Sequence, residues 1–178
     1  MRYSTIVADP PWRYKTTLPG FGSLKAVRSG VPYDTMSIEQ IAALPVSDLA
    51  AKDAHLYLWT TGTHLPQAFD IVRAWGFVYS TPLVWCKTPR GFSGFPTYNT
   101  CTEFVLFCRR GSLKPKSRID RNWWPWRRRQ HSAKPEHFLD MVEAVSPGPY
   151  LELFSRRHRL GWDVWGNEVE STIALAGD

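Results

Sequence analysis

Residues 5–14 read Thr5-Ile6-Val7-Ala8-Asp9-Pro10-Pro11-Trp12-Arg13-Tyr14. The β-branched and apolar residues up to Ala8 make a short buried strand, which the chain ends with an acid, two prolines and a tryptophan. Proline has no N–H to give a ladder and fixes its own φ, so two in succession stop the strand and stiffen the backbone at its end. A turn that merely reverses the chain would use Asp9 as a cap and leave Trp12 on the surface. That reading does not explain why a carboxylate, rigid carbonyls and a large aromatic ring stand together at a strand end.

Outward from this point, apolar periodicity alternates strands with helices. A Gly/Pro/Lys-rich stretch from Lys15 to Pro32 suits a mobile surface loop. Ser37 to Leu44 reads as a short helix with Ser37 as N-cap and Gln40 in the capping-box position. His55 to Trp59 is a second strand. Leu65 to Trp75 has helical spacing and stops at Gly76. Val78 to Cys86 and Thr102 to Cys108 are further strands, joined by Pro89 to Thr100. Lys134 to Val145 is a helix with Pro135 near its first turn and Pro147-Gly148 beyond its end. Tyr150 to Phe154 is the last expected strand, and residues 169–178 are expected to form a loose tail. The pattern predicts an α/β sandwich around a mainly parallel sheet, whose ligands bind beyond the carboxyl ends of the strands. Asp9 stands at such an end, and so does Phe154-Ser155-Arg156.

In that position the quoted stretch makes chemical sense. An exocyclic amino group on a base is a poor nucleophile because its lone pair is delocalised into the ring. A carboxylate and a proline carbonyl aimed at its two N–H bonds favour the pyramidal form that frees the lone pair, and stiff prolines hold the carbonyl ready. An adjacent aromatic face can stack on the base. Asp9, Pro10, Pro11 and Trp12 are therefore expected to clamp an amino-bearing planar base.

The totals are consistent with one domain of 178 residues, 43% hydrophobic and 21% charged, with no apolar run near the roughly 18 residues a membrane helix needs. No room precedes Thr5 for a signal peptide, so a cytoplasmic location is expected. Cys86, Cys101 and Cys108 show no zinc-type spacing and are odd in number; they read as buried strand residues. The formal charge of +6 and nine tryptophans stand out. From Lys114 to Arg129 the chain carries Lys114, Lys116, Arg118, Arg121, Arg127, Arg128 and Arg129 against Asp120 alone, interleaved with Trp123, Trp124 and Trp126. Cations suit phosphates and indole faces suit bases, so this basic segment within residues 109–131 is a candidate nucleic-acid surface. The alternative is that the tryptophans are core and the arginines a solvated face.

Asp9-Pro10-Pro11-Trp12 resembles the catalytic motif of S-adenosylmethionine-dependent methyltransferases acting on adenine N6. More specifically, the chain resembles the catalytic-subunit family of the messenger-RNA N6-adenosine methyltransferases, which has bacterial and phage members. The resemblance extends over Pro32-Tyr33-Asp34-Thr35-Met36-Ser37, Leu56-Tyr57-Leu58-Trp59-Thr60-Thr61-Gly62, Val84-Trp85-Cys86-Lys87-Thr88, His131-Ser132-Ala133-Lys134-Pro135 and Leu151-Glu152-Leu153-Phe154. It implies a Rossmann-like sandwich in circularly permuted, β-class order, a single domain over residues 1–168, and no metal. For the cofactor it implies Asp9, Lys87, Glu152, Phe154, Arg156, His158 and Asn167. Glu152 is the most telling of these, since a carboxylate among Leu151, Leu153 and Phe154 needs a hydroxyl or N–H, which a ribose would supply. Arg159 and Glu168 depart from the family's usual Asn and Gln. A compact chain with a short basic insert favours DNA over RNA as substrate. An RNA N6-adenosine methyltransferase and a catalytically silent nucleic-acid-binding subunit are the alternatives, and assembly with itself or a partner subunit stays open.

Overall fold

The computed structural model describes residues 1–13, 35–88, 98, 100–128 and 133–175. Its strands are β1 (Tyr3–Ala8), β2 (Ala50–Thr60), β3 (Val78–Cys86), β4 (Thr102–Arg110), β5 (Trp123–Trp124), β6 (Tyr150–Leu153) and β7 (Trp162–Trp165), in one sheet ordered β5-β3-β4-β2-β1-β6-β7. β1 pairs in parallel with β2 and β6, β6 with β7 and β3 with β5, whereas β4 is antiparallel to both β2 and β3. β4 therefore runs against the other six, and the carboxyl ends of those six share one edge with the start of β4.

Helices α1 (Ile38–Ala42), α2 (Val46–Leu49) and α3 (Leu65–Ala74) cover one face and α4 (His137–Val145) the other. Alternate strand residues feed the two layers: Ile6, Ala8, Leu56, Leu58 and Leu106 meet Ile41, Ile71 and Trp75, while Val7, Tyr57, Trp59 and Val105 meet Phe138 and Val142. β1 is apolar towards both layers, as a central strand covered on both sides must be. The capping box of α1 is present, with Gln40 N–H on Ser37 Oγ at 3.2 Å and Ser37 N–H on Gln40 Oε1 at 2.8 Å. Gly76, at φ +76°, ends α3 as its position after the apolar repeat predicts.

Four expectations need correction. The helix expected from Lys134 starts at His137, after a tighter turn in which Phe138 N–H reaches Pro135 O; Lys134 is left outside it. β7 is a strand beyond those expected, although Trp162-Asp163-Val164-Trp165 alternates with strand period. Residues beyond Asn167 are no loose tail, because Thr172 N–H binds Val164 O at 2.9 Å and Leu175 is buried; residues 176–178 lie outside the described set. Among the cysteines only Cys108 is fully buried, and Cys101 precedes β4. The Lys15–Pro32 stretch, His131, Ser132 and Arg129 also lie outside the described residues, as does the Pro89–Thr100 connection apart from Tyr98 and Thr100.

Candidate active site

The ends of the parallel strands meet in a cleft. β1 delivers Asp9, Pro10, Pro11 and Trp12, β2 delivers Thr60 and Thr61, β6 delivers Phe154, Ser155 and Arg156, and β7 delivers Asn167 and Glu168. Glu103, at the start of the reversed β4, and Lys134, just ahead of α4, complete the lining.

The Asp9 turn is fixed from within. Trp12 N–H donates to Pro10 O at 2.9 Å, closing a three-residue turn, and Met36 N–H donates to Pro11 O at 2.9 Å. Trp12 is 5% exposed, donates its indole N–H to Trp59 O at 3.2 Å and stacks one face on His64 at 5.2 Å. The indole thus anchors the turn against β2 and at the same time lines the cleft, with one face packed on His64.

Charges alternate along one side of the cleft. Lys134 Nζ lies 2.9 Å from Asp9 Oδ2 and 3.2 Å from Glu103 Oε2, and Lys87 pairs with Glu103 Oε1. Two carboxylates and two ammoniums balance, which is how such a cluster tolerates partial burial. Both lysines also sit over indole rings, Lys134 over Trp59 at 5.0 Å and Lys87 over Trp85 at 5.3 Å. Burial raises the Asp9 carboxyl above its ordinary value and Lys134 opposes that rise. Glu103 is also buried, but Lys134 and Lys87 together hold it below the usual range. Lys134 is held protonated: burial works against its charge and Asp9 and Glu103 outweigh it.

Of the residues expected at the cofactor, Asp9, Phe154, Arg156 and Asn167 line the cleft, and Lys87, Glu152 and His158 do not. Lys87 reaches it through Glu103. Glu152 is satisfied at Oε2 by the Ser155 hydroxyl at 2.8 Å, so part of what the sequence assigns to a ribose comes from the protein, and burial raises its pKa. His158 is exposed because its neighbours are drawn to α4: Arg157 to Glu136, and Arg159 to Asp140 and Glu143. Arg156 instead pairs with Glu168 at 3.2 Å, both on the cleft wall. Phe154 adopts φ 62°, a left-handed conformation that costs a bulky residue about 1–2 kcal/mol and turns the chain so that Ser155 N–H meets Trp165 O. The sequence gives no role to Glu103, and Lys134 stands out in it only as part of the His131–Pro135 motif, with no role of its own. A lone acid inside the apolar run Thr102 to Cys108 was the available signal for the first.

The basic segment divides. Lys116 donates to Glu143 O, and its backbone N–H to Val145 O, so it caps the carboxyl end of α4 at the edge opposite the cleft. Trp124 is buried and stacks on Trp126, which is half-buried beside Trp85. Burial takes Trp124 out of the expected nucleic-acid surface, while Trp126 is half-buried and Lys116 stays exposed at the opposite edge. Arg127 and Arg128, exposed and tied to Thr88 after β3, stand at the cleft edge, and Trp123 is the exposed indole. Lys114, Arg118 and Arg121 are exposed, Lys114 towards the opposite edge.

A sheet with one reversed strand, covered on both faces and opening a carboxylate-bearing cleft at the ends of its parallel strands, is that of the Rossmann-like methyltransferases. The chain belongs to the MT-A70 family, whose model matches residues 3–168. A type II methyltransferase, M.MunI from Mycoplasma sp, is 32% identical over 94% of this chain and 78% of its own length. The human N(6)-adenosine-methyltransferase catalytic subunit METTL3 is 25% identical over 99% of the chain, and human N(6)-adenine-specific methyltransferase METTL4 28% over 94%. The chain spans 30% and 37% of the lengths of these two. No helix among the described residues is long and apolar enough to cross a membrane.

Proposed function

We propose that the chain methylates adenine N6 in DNA with S-adenosylmethionine as donor. The observation that carries this reading is the Asp9 carboxylate, raised in proton affinity and pinned by Lys134 at the end of β1. Lys134 engages Oδ2, which assigns one N6–H to Oδ1, and the remaining lone pair of the Pro10 carbonyl takes the other. Both acceptors are fixed before the base arrives, so the amino group meets them with little reorganisation. Asn167, Arg156 and Glu168 offer an amide, a cation and an acceptor beside the Phe154 ring, a donor set that suits an amino acid joined to a nucleoside. S-adenosylmethionine, held there, supplies an electrophilic methyl group.

DNA is favoured by the coverage of M.MunI, the type II methyltransferase, along most of its length. RNA remains the second reading, favoured by the likeness to the METTL3 subunit. Methyl transfer from labelled donor to matched DNA and RNA, with the product nucleoside identified by mass spectrometry, decides between them. N6-methyldeoxyadenosine is expected, and N6-methyladenosine would move the substrate to RNA. Asp9→Ala should lower turnover by about 100-fold or more while the protein stays folded; near-normal turnover would remove the role given to Asp9.

A further inference from the structure

A row of side chains leads from the cleft to the edge of the sheet. Strand register sets Thr60 beside Phe104, Phe104 beside Val84 and Val84 beside Trp123, so all four share the α3 face. Thr60 lines the cleft, Phe104 and Val84 are half-buried, and Trp123 is 51% exposed. Three strand spacings put Trp123 about 14 Å from Thr60. Just beyond it, Arg127 and Arg128 lie exposed on the edge that carries the cleft. Between β4 and α4 the described residues contain no helix or hairpin that could enter a groove, only the two-residue β5 folded onto the sheet.

We propose that the substrate is engaged on this face as an unpaired strand. The target adenine occupies the cleft, a base about two to four nucleotides away stacks on Trp123, and phosphates meet Arg127 and Arg128. A base inside a duplex has both faces covered by its neighbours, so an exposed indole finds a stacking partner only in a strand that has been opened. The cationic edge beside the row complements a polyphosphate chain and no apolar partner. This inference rests on reading the cleft as an adenine site.

The test uses an oligodeoxythymidine with one central adenine and the fluorescent base 2-aminopurine placed at successive positions to either side, bound to the protein without donor. Quenching is expected at one position for the wild type and for Trp123→Tyr, and not for Trp123→Ala. Trp123→Ala should also weaken binding of the strand by about 5- to 100-fold, with a duplex of the same sequence changed less than about twofold. Quenching that survives Trp123→Ala, or equal binding by both proteins, overturns the proposal. The readout needs no methyl transfer, so failure of the stacking and failure of the adenine-N6 reading are separately visible.

Discussion

Lys134 joins the carboxylate at the end of β1 to Glu103 at the start of β4, and its charge is what opposes the effect of burial on Asp9. With Asp9 in its proposed role as a charged acceptor, stronger and better placed than its protonated form, activity is expected above its raised pKa and is lost as pH falls through it. Replacing Lys134 by Met removes the opposing cation, and the acid limb of the kcat profile should move to higher pH; Lys134→Arg, which keeps the charge, should leave it close to the wild type. A limb that stays put in Lys134→Met would show that the cation does not govern Asp9. At this scale the sequence was legible where chemistry is contiguous. Asp9 to Trp12 announce themselves as four consecutive residues whose combination is hard to explain as a turn. Lys134 and Glu103 meet only through the fold, and each alone looks like an ordinary charge. Trp12 has a part that four consecutive residues do not reveal: its indole, which lines the cleft, also ties the turn to Trp59 O.

The connection from β6 into β7 shapes the cleft wall beside Asp9, whose N–H meets Leu153 O at 3.4 Å. Phe154 turns in the left-handed region, and the chain that returns at Gly166 passes so close that a Cβ there would stand 2.2 Å from Ser155 O. Gly166→Ala must displace either strand end. A loss of about 1–3 kcal/mol is expected, seen as a lower denaturant midpoint with an unchanged m value, together with weaker donor binding by titration. Unchanged stability would mean that the turn yields freely. Helix limits were readable where caps are local, as with Ser37 and Gly76. They failed at α4, where Pro135 suggested a first turn that begins two residues later and leaves Lys134 free to face the cleft. β7 escaped because its alternation lasts only four residues, between an arginine-rich loop and a polar segment, too short to stand out from chance.

Across the whole molecule, alternating strands and helices revealed the layers, but not the strand order or the reversal of β4, since pairing partners are not written in local sequence. The surplus of positive charge is likewise spread over two edges, and among the described residues of the basic segment Arg127 and Arg128 stand at the edge that carries the cleft. Removing both should flatten the logarithmic salt dependence of strand binding by about 0.7 per arginine, whereas Lys114→Ala should leave the slope nearly unchanged. Equal effects at both edges would point to a nonspecific cationic surface. The closure of the Asp9 turn also governs how the chain tolerates change beside it. Trp12 bridges to Met36, and Arg13 Nη2 donates to Thr35 O at 3.2 Å, so the chain leaves the turn and rejoins it at the same place. The ends are fixed whatever length of chain lies between them, and doubling that length costs only about 0.6 kcal/mol of closure entropy. The molecule therefore has a point, between Arg13 and Thr35, where lineages, or an engineer, can lengthen, trim or exchange sequence while inheriting the Asp9 turn intact.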